Sequence, residues 1–215
     1  MRDRGHSYRG LHVLVDDDPR WGRDPVRQAR DACAAGVPVV QLRTKHATDG
    51  QTLDWAREIR RLTLEANARF VVNDRFDLAL LANADAVHLG QEDLHPNSLP
   101  GDAREQLAVG RSTHTPQQLE ATRTEDVDYV AYGPVFGTTS KDSAYSERGF
   151  EALRRAVQLA APRPLIAIGG ITERHVSSLR EAGVAGFAVI SVLAAAQDPI
   201  ATARELITGF SGGER

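Results

Sequence analysis

Cysteine is almost missing from this chain: Cys33 is the single one in 215 residues. A disulfide framework within the chain is therefore excluded, and the cytoplasm, a reducing compartment, is the expected location. Cys33 lies in an Ala-rich helical stretch, where a small buried residue is a better expectation than a nucleophile. Long apolar runs are missing too. No stretch of 18 apolar residues occurs, so no membrane span is expected. The polar and charged start, Met1 to Gly10, lacks the apolar centre of a signal peptide, and residues 1–10 are expected to form a flexible extension. A basic surplus is also lacking: 26 Lys and Arg face 29 Asp and Glu, for a net charge of −3. That balance disfavours a general nucleic-acid binder, and no nucleic-acid partner is expected. A small anionic ligand stays compatible, because a pocket can be locally cationic inside a mildly acidic protein.

What the chain does have is a rhythm. Short apolar runs stand at Leu11–Val15, Pro38–Leu42, Arg69–Asn73, Ala86–Leu89, Leu107–Gly110, Tyr129–Tyr132, Pro164–Ile168 and Gly186–Ile190. Helical patterns follow them at Pro25–Ala35, Thr52–Ala66, Phe76–Leu81, Gly101–Glu105, Thr115–Thr124, Glu151–Leu159, Glu173–Ala182 and Ile200–Phe210. Eight strand-then-helix units in this length predict an α/β chain folded as a single (β/α)8 TIM barrel over residues 1–215. The strands are apolar throughout, as strands buried on both faces must be. A doubly wound open sheet would show a Gly-rich turn after the first strand, whereas here that strand runs into Asp16-Asp17-Asp18-Pro19.

In a barrel the chemistry sits where strands end. The second strand ends in Gln41-Leu42-Arg43-Thr44-Lys45, and strand alternation points Gln41, Arg43 and Lys45 one way. Such a set suits a diphosphate, although a solvated charge cluster is an equal reading. The third strand ends in Asn73-Asp74 and the fourth leads to Gly90-Gln91-Glu92-Asp93. Asp74 and Asp93 on neighbouring strand ends are candidate Mg²⁺ ligands; taken singly, Asp74 reads as a helix cap and Asp93 as a turn residue. Ser112-Thr113-His114 ends the fifth strand, with His114 either a base, a ligand or a plain hydrogen-bonding residue. Gly133–Gly149 is the longest irregular stretch, and its Thr138-Thr139-Ser140-Lys141 suits phosphate. Gly169-Gly170 and Ile190-Ser191 follow the last two strands, the recurrent phosphate position of this fold. Two anion sites are thus implied, one near the second strand and one near strands six to eight.

These residues form the motifs GVPVVQLRTK (Gly36–Lys45), VVNDRFDLAL (Val71–Leu80), ADAVHLGQEDL (Ala84–Leu94), RSTHT (Arg111–Thr115), DYVAYGPVFGTTSK (Asp128–Lys141), AIGGI (Ala167–Ile171) and AVIS (Ala188–Ser191). From about Leu11 to Ala195 the chain resembles the thiamine-phosphate synthase family. The resemblance implies a transferase with two phosphorylated small-molecule substrates, a pyrimidine diphosphate and a thiazole phosphate, and Mg²⁺ as cofactor. Carried onto this sequence, it implies that Gln41, Arg43, Lys45, Asn73, Ser112 and Lys141 bind the pyrimidine diphosphate. Of these, Arg43, Lys45, Ser112 and Lys141 would be catalytic. Asp74 and Asp93 would hold Mg²⁺, and Thr138, Thr139, Ser140, Gly170, Ile190 and Ser191 would receive the thiazole phosphate. The family's loop usually reads Thr-x-Thr-Lys, and Ser140 departs from it. The segments around His114 and Glu147-Arg148-Gly149 are similar to the sister family of thiazole tautomerases, which lacks the metal pair.

Overall fold

A computed structural model describes residues 8–137 and 146–212. Eight parallel strands close into a barrel in sequence order, β1 pairing with β2 and with β8. They are β1 (Gly10–Asp16), β2 (Val39–Arg43), β3 (Arg69–Asn73), β4 (Ala86–Leu89), β5 (Ala108–Thr113), β6 (Tyr129–Tyr132), β7 (Leu165–Ile168) and β8 (Gly186–Val189). The helices are α1 (Pro25–Ala35), α2 (Asp49–Glu65), α3 (Phe76–Leu81), α4 (Gly101–Gln106), α5 (Pro116–Ala121), α6 (Gly149–Ala160), α7 (Val176–Glu181), α8 (Ser191–Ala194) and α9 (Pro199–Ser211). The predicted barrel is the observed one. Among the described residues, no helix is long and apolar enough to cross a membrane.

The local reasons are ordinary. Asp24 caps α1 by accepting from the Arg27 N–H at 2.8 Å, Pro25 opens the helix, and Gly36 ends it in the left-handed region. Along α2 the buried face runs Thr52, Ala56, Ile59, Leu62 and Thr63, the spacing of one helical stripe. In β1 the alternation splits two cores: Leu11, Val13 and Val15 pack outward against α1, while His12 and Leu14 line the barrel interior. The interior floor holds Tyr8, Val39, Val71, Ala86, Ala108, Tyr129, Ala131 and Ile166. Small alanines make room there for the two tyrosine rings.

Three sequence expectations shift. Residues 1–10 do not all form a free extension: Tyr8 is 3% exposed, stacks on Tyr129 at 5.0 Å and donates its hydroxyl to the Asp85 carbonyl. The helix expected over Thr115–Thr124 breaks into α5 and a 3₁₀ turn at Thr122–Thr124, where the Thr122 hydroxyl donates back to the Leu119 carbonyl. The helix expected over Glu173–Ala182 begins as a 3₁₀ turn, Glu173–His175, before α7.

Candidate active site

A cavity of about 380 Å³ opens at the carboxyl ends of the strands, and every strand or its following loop contributes to it. Gln41, Arg43, Lys45, Asn73, Asp74, Ser112, Gly170, Ile190 and Ser191 all line it. The candidates from β2–β5 and those from β7–β8 thus share one chamber on different arcs of its wall. Asp93 stands behind the lining, hydrogen-bonded to Asp74. Thr138, Thr139, Ser140 and Lys141 lie outside the described residues.

The first arc is held by two aspartates that the strand-end reading passed over. Asp16, 1% exposed, pairs with the Arg43 guanidinium. Its other oxygen accepts from Trp21 Nε1 at 3.1 Å and from the Asp18 N–H at 3.0 Å. A carboxylate so furnished is a fixed post, and it aims Arg43 along the cavity wall. Asp17 accepts three backbone N–H groups, from Lys45 (2.8 Å), His46 (2.9 Å) and Ala47 (2.7 Å). Burial acts to raise its pKa, but those three donors outweigh it and hold the carboxyl below its ordinary value. The signal for both was present: acidic residues at the carboxyl end of a barrel strand.

Lys45 Nζ lies 2.6 Å from Asp74 Oδ2. Asp74 is no helix cap, because Arg75 occupies the position before α3 and makes no side-chain capping bond. Asp74 instead adopts φ +66°, a left-handed conformation uncommon for a residue with a side chain, and turns toward Lys45 and Asp93. Burial pushes the Asp74 carboxyl up, yet Lys45 and the hydrogen bond from Asp93 win and its pKa falls. Asp93 is pushed up, first by burial and then by neighbouring Asp74. The two carboxyl groups are hydrogen-bonded to each other, and their pKa values move in opposite directions. Asp93 also serves as a turn residue, accepting from the Gly90 N–H at 2.6 Å. The loop carrying it is pinned on β5: Arg111 donates to the Gly90 carbonyl, and Gln91 Nε2 donates to the Ser112 carbonyl at 2.6 Å. Among the described residues, no three His, Cys, Asp or Glu side chains gather as a metal cage.

The floor is a polar cluster in an apolar setting, and its members went unassigned from sequence. His12 is 2% exposed, and its Nε2 lies 3.1 Å from the Tyr8 carbonyl. Burial drops its pKa to about 4, with the Tyr8 bond opposing. A carbonyl only accepts, so Nε2 carries the hydrogen. His88 lies between Ser112 and Tyr129, 2.8 Å from Ser112 Oγ and 3.1 Å from the Tyr129 hydroxyl.

On the far arc His114 Nδ1 donates to the Gly133 carbonyl at 2.6 Å, which favours the hydrogen-bonding reading of that residue. Phe136 stacks on His175 with ring centroids 3.7 Å apart, and the Gly137 N–H donates to Glu147 Oε2. Gly170 has φ +61°, and a Cβ there would lie 2.2 Å from the Gly137 carbonyl oxygen. Only glycine lets β7's end and the loop after β6 approach so closely. Ile190 leaves the strand, and Ser191 begins the short α8.

Comparison with known proteins identifies the family. A family model described as thiamine monophosphate synthase matches residues 11–193. A thiamine-phosphate synthase of Anaeromyxobacter dehalogenans is 41% identical over 95% of this chain and 89% of its own length. One from Synechococcus is 43% identical over 85% of this chain, which spans only about half (51%) of that longer protein. The solved thiamine phosphate pyrophosphorylase of Pyrococcus furiosus superposes with a TM-score of 0.84 at 31% identity, covering 97% of this chain and 98% of that one.

Proposed function

The chain belongs to the thiamine monophosphate synthase family, and on that premise we propose how its cavity does the family's work. The protein is a transferase of thiamine biosynthesis. The reaction we assign joins 4-amino-5-hydroxymethyl-2-methylpyrimidine diphosphate to 4-methyl-5-(2-phosphooxyethyl)thiazole, giving thiamine phosphate and pyrophosphate. The observation that carries the assignment is that Arg43, Lys45 and Asp74 line one arc of a single chamber, with Lys45 paired to Asp74 and Asp93 hydrogen-bonded to Asp74.

In this reading Gln41, Arg43, Lys45, Asn73, Ser112 and Lys141 hold the diphosphate. The C–O bond to the diphosphate breaks first, and its electron pair leaves on the phosphate oxygen. The resulting methylene cation is stabilised by the ring's amino group, and the thiazole nitrogen's lone pair then forms the new C–N bond. No protein nucleophile is required. The protein's part is to stabilise the charge growing on the leaving group and to keep two rings in contact. Gly170, Ile190 and Ser191, with Thr138, Thr139 and Ser140, receive the thiazole phosphate.

Asp74 and Asp93 fit a hard divalent cation. Two carboxyl groups in hydrogen-bond contact, with Asp93 pushed up partly by its neighbour Asp74, are offset by a cation's charge, and Mg²⁺ commonly takes one or two protein carboxylates while the substrate's phosphate completes its shell. Bound there, Mg²⁺ would supply electrostatic stabilisation of the departing pyrophosphate. Lys45 pairs with Asp74 and, in this reading, also faces the substrate's phosphate. A thiazole tautomerase would leave this acidic pair without a task. We place the activity in the cytoplasm, consistent with the lone cysteine.

The test mixes both substrates with purified protein, with and without Mg²⁺, and measures thiamine phosphate. Product that depends on both substrates and on Mg²⁺ is expected. Folded protein that makes none overturns the assignment.

A further inference from the structure

Under the proposed function Ser112 contacts a phosphate oxygen, and the role of the residues behind it rests on that reading. A serine hydroxyl either donates or accepts. Only donation helps against an anion, so the direction of the bond behind Ser112 matters.

His88 supplies that bond. Its Nε2 is 2.8 Å from Ser112 Oγ and its Nδ1 is 3.1 Å from the Tyr129 hydroxyl. A neutral imidazole carries one N–H and one lone pair. The two contacts must therefore run the same way round the ring: either Tyr129 to His88 to Ser112, or the reverse. Tyr129 decides between them. Its side chain is fully buried, and burial raises its pKa well above the ordinary value, so the phenol keeps its proton. His88 Nδ1 is the acceptor set before it, and a buried O–H left without an acceptor is penalised more than an idle lone pair. Tyr129 then donates to Nδ1, Nε2 carries the hydrogen and donates to Ser112 Oγ, and the Ser112 proton is left to point into the cavity.

The junction is built for this contact. A Cβ on Gly110 would lie 2.2 Å from Tyr129 Cζ, 2.4 Å from its hydroxyl oxygen and 2.5 Å from His88 Nδ1. Glycine at that position is what lets phenol and imidazole meet inside the barrel. Tyr8 stacked on one side and the edge of His12 on another hold the Tyr129 ring in place.

We propose that Tyr129, acting through His88, fixes Ser112 as a hydrogen-bond donor toward the phosphate oxygens of the substrate. Tyr129 and His88 are positioning residues, and Ser112 is the group that touches substrate.

Two measurements on the intact protein test this. Nitrogen-15 NMR of the substrate-free protein, with His88 assigned through His88→Gln, is expected to show the Nε2–H tautomer. An Nδ1–H tautomer or an imidazolium overturns the direction of the relay, whatever the enzyme's activity. A kinetic cycle then pairs Tyr129→Phe with Ser112→Ala. Tyr129→Phe alone is expected to lower kcat about 5- to 20-fold and to cost less than twofold more once Ser112 is alanine. Full additivity of the two losses would mean that Tyr129 acts on packing alone and overturns the proposal. His88→Gln, which keeps an amide N–H toward Ser112, is expected to retain at least several-fold more activity than His88→Leu. If His88→Leu equals it while both remain folded by thermal melting, the relay is wrong. Failure of the wild type to form product would count against the function, while the tautomer still reports on the relay.

Discussion

Asp16→Asn probes how the site is held, because it removes one charge and almost no volume. Asn keeps an oxygen for Trp21 Nε1 and the Asp18 N–H but sets an amide where the Arg43 guanidinium expects a carboxylate. Breaking a fully buried ion pair costs about 3–5 kcal/mol. Arg43 keeps some access to water through the cavity, its side chain being 15% exposed, so a cost of about 2 kcal/mol is the reasonable figure. In a chain of this size that lowers the melting temperature by roughly 4–8 °C. The kinetic signature is more telling. An unpaired Arg43 adds positive charge to the cavity, so KM for the diphosphate substrate should stay level or fall. The guanidinium, however, is no longer aimed at the leaving group, and losing a well-placed charged hydrogen bond of about 1.5–3 kcal/mol lowers kcat about 10- to 100-fold. Steady-state kinetics and a thermal melt measure both. Unchanged kcat in Asp16→Asn would show that Arg43 needs no post, and the reasoning would fail.

Other expectations rest on the same geometry. His12 has a folded pKa of about 4 against an ordinary 6.5, so between these values the unfolded chain binds more protons and stability rises with pH. The stabilisation is whole above 6.5 and drains away as pH falls toward 4, by about 3 kcal/mol in all. In His12→Gln, denaturant titrations at about pH 4.5 and about pH 7.5 should differ by correspondingly less than in the wild type. Gly170→Ala places a methyl 2.2 Å from the Gly137 carbonyl at a positive φ. It should raise KM for the thiazole phosphate at least tenfold while the melting temperature falls by only a few degrees; an unchanged KM would place that phosphate elsewhere. Asp93→Ala should leave the fold intact but abolish turnover and weaken Mn²⁺ binding, read by electron paramagnetic resonance. Retained tight binding would remove Asp93 from the metal site.

The barrel was legible because its strands are short apolar runs and helical patterns follow them in turn, some of them, such as α1 and α5, opened by a side-chain cap and a proline. The ends of elements were less so. At Thr122 a hydroxyl bonding back to Leu119 ends the helix early, and the sequence pattern carries no sign of it. Within the site, the residues read from strand ends on β2, β3, β5, β7 and β8 do line one chamber, because alternation and the strand-end rule are both local. The supports escaped notice because their partners are distant in sequence: Asp16 meets Arg43 across 27 residues, and His88 meets Tyr129 across 41. Tyr8 was missed for another reason. One aromatic in a charged, polar stretch gives no periodicity to read, yet it closes the floor of the barrel.

Asp17 stands on the first loop but moulds the second, chiefly through three of its backbone N–H groups. What such a mould demands of residues 45–47 is a hydrogen on each nitrogen. At His46 and Ala47 almost any side chain satisfies that demand, whereas proline at any of the three positions would not. Drift among descendants should therefore show itself there as a vocabulary lacking one letter rather than as a fixed word. A borrowed β2–α2 loop grafted onto another barrel would arrive limp unless its donor's first loop came with it.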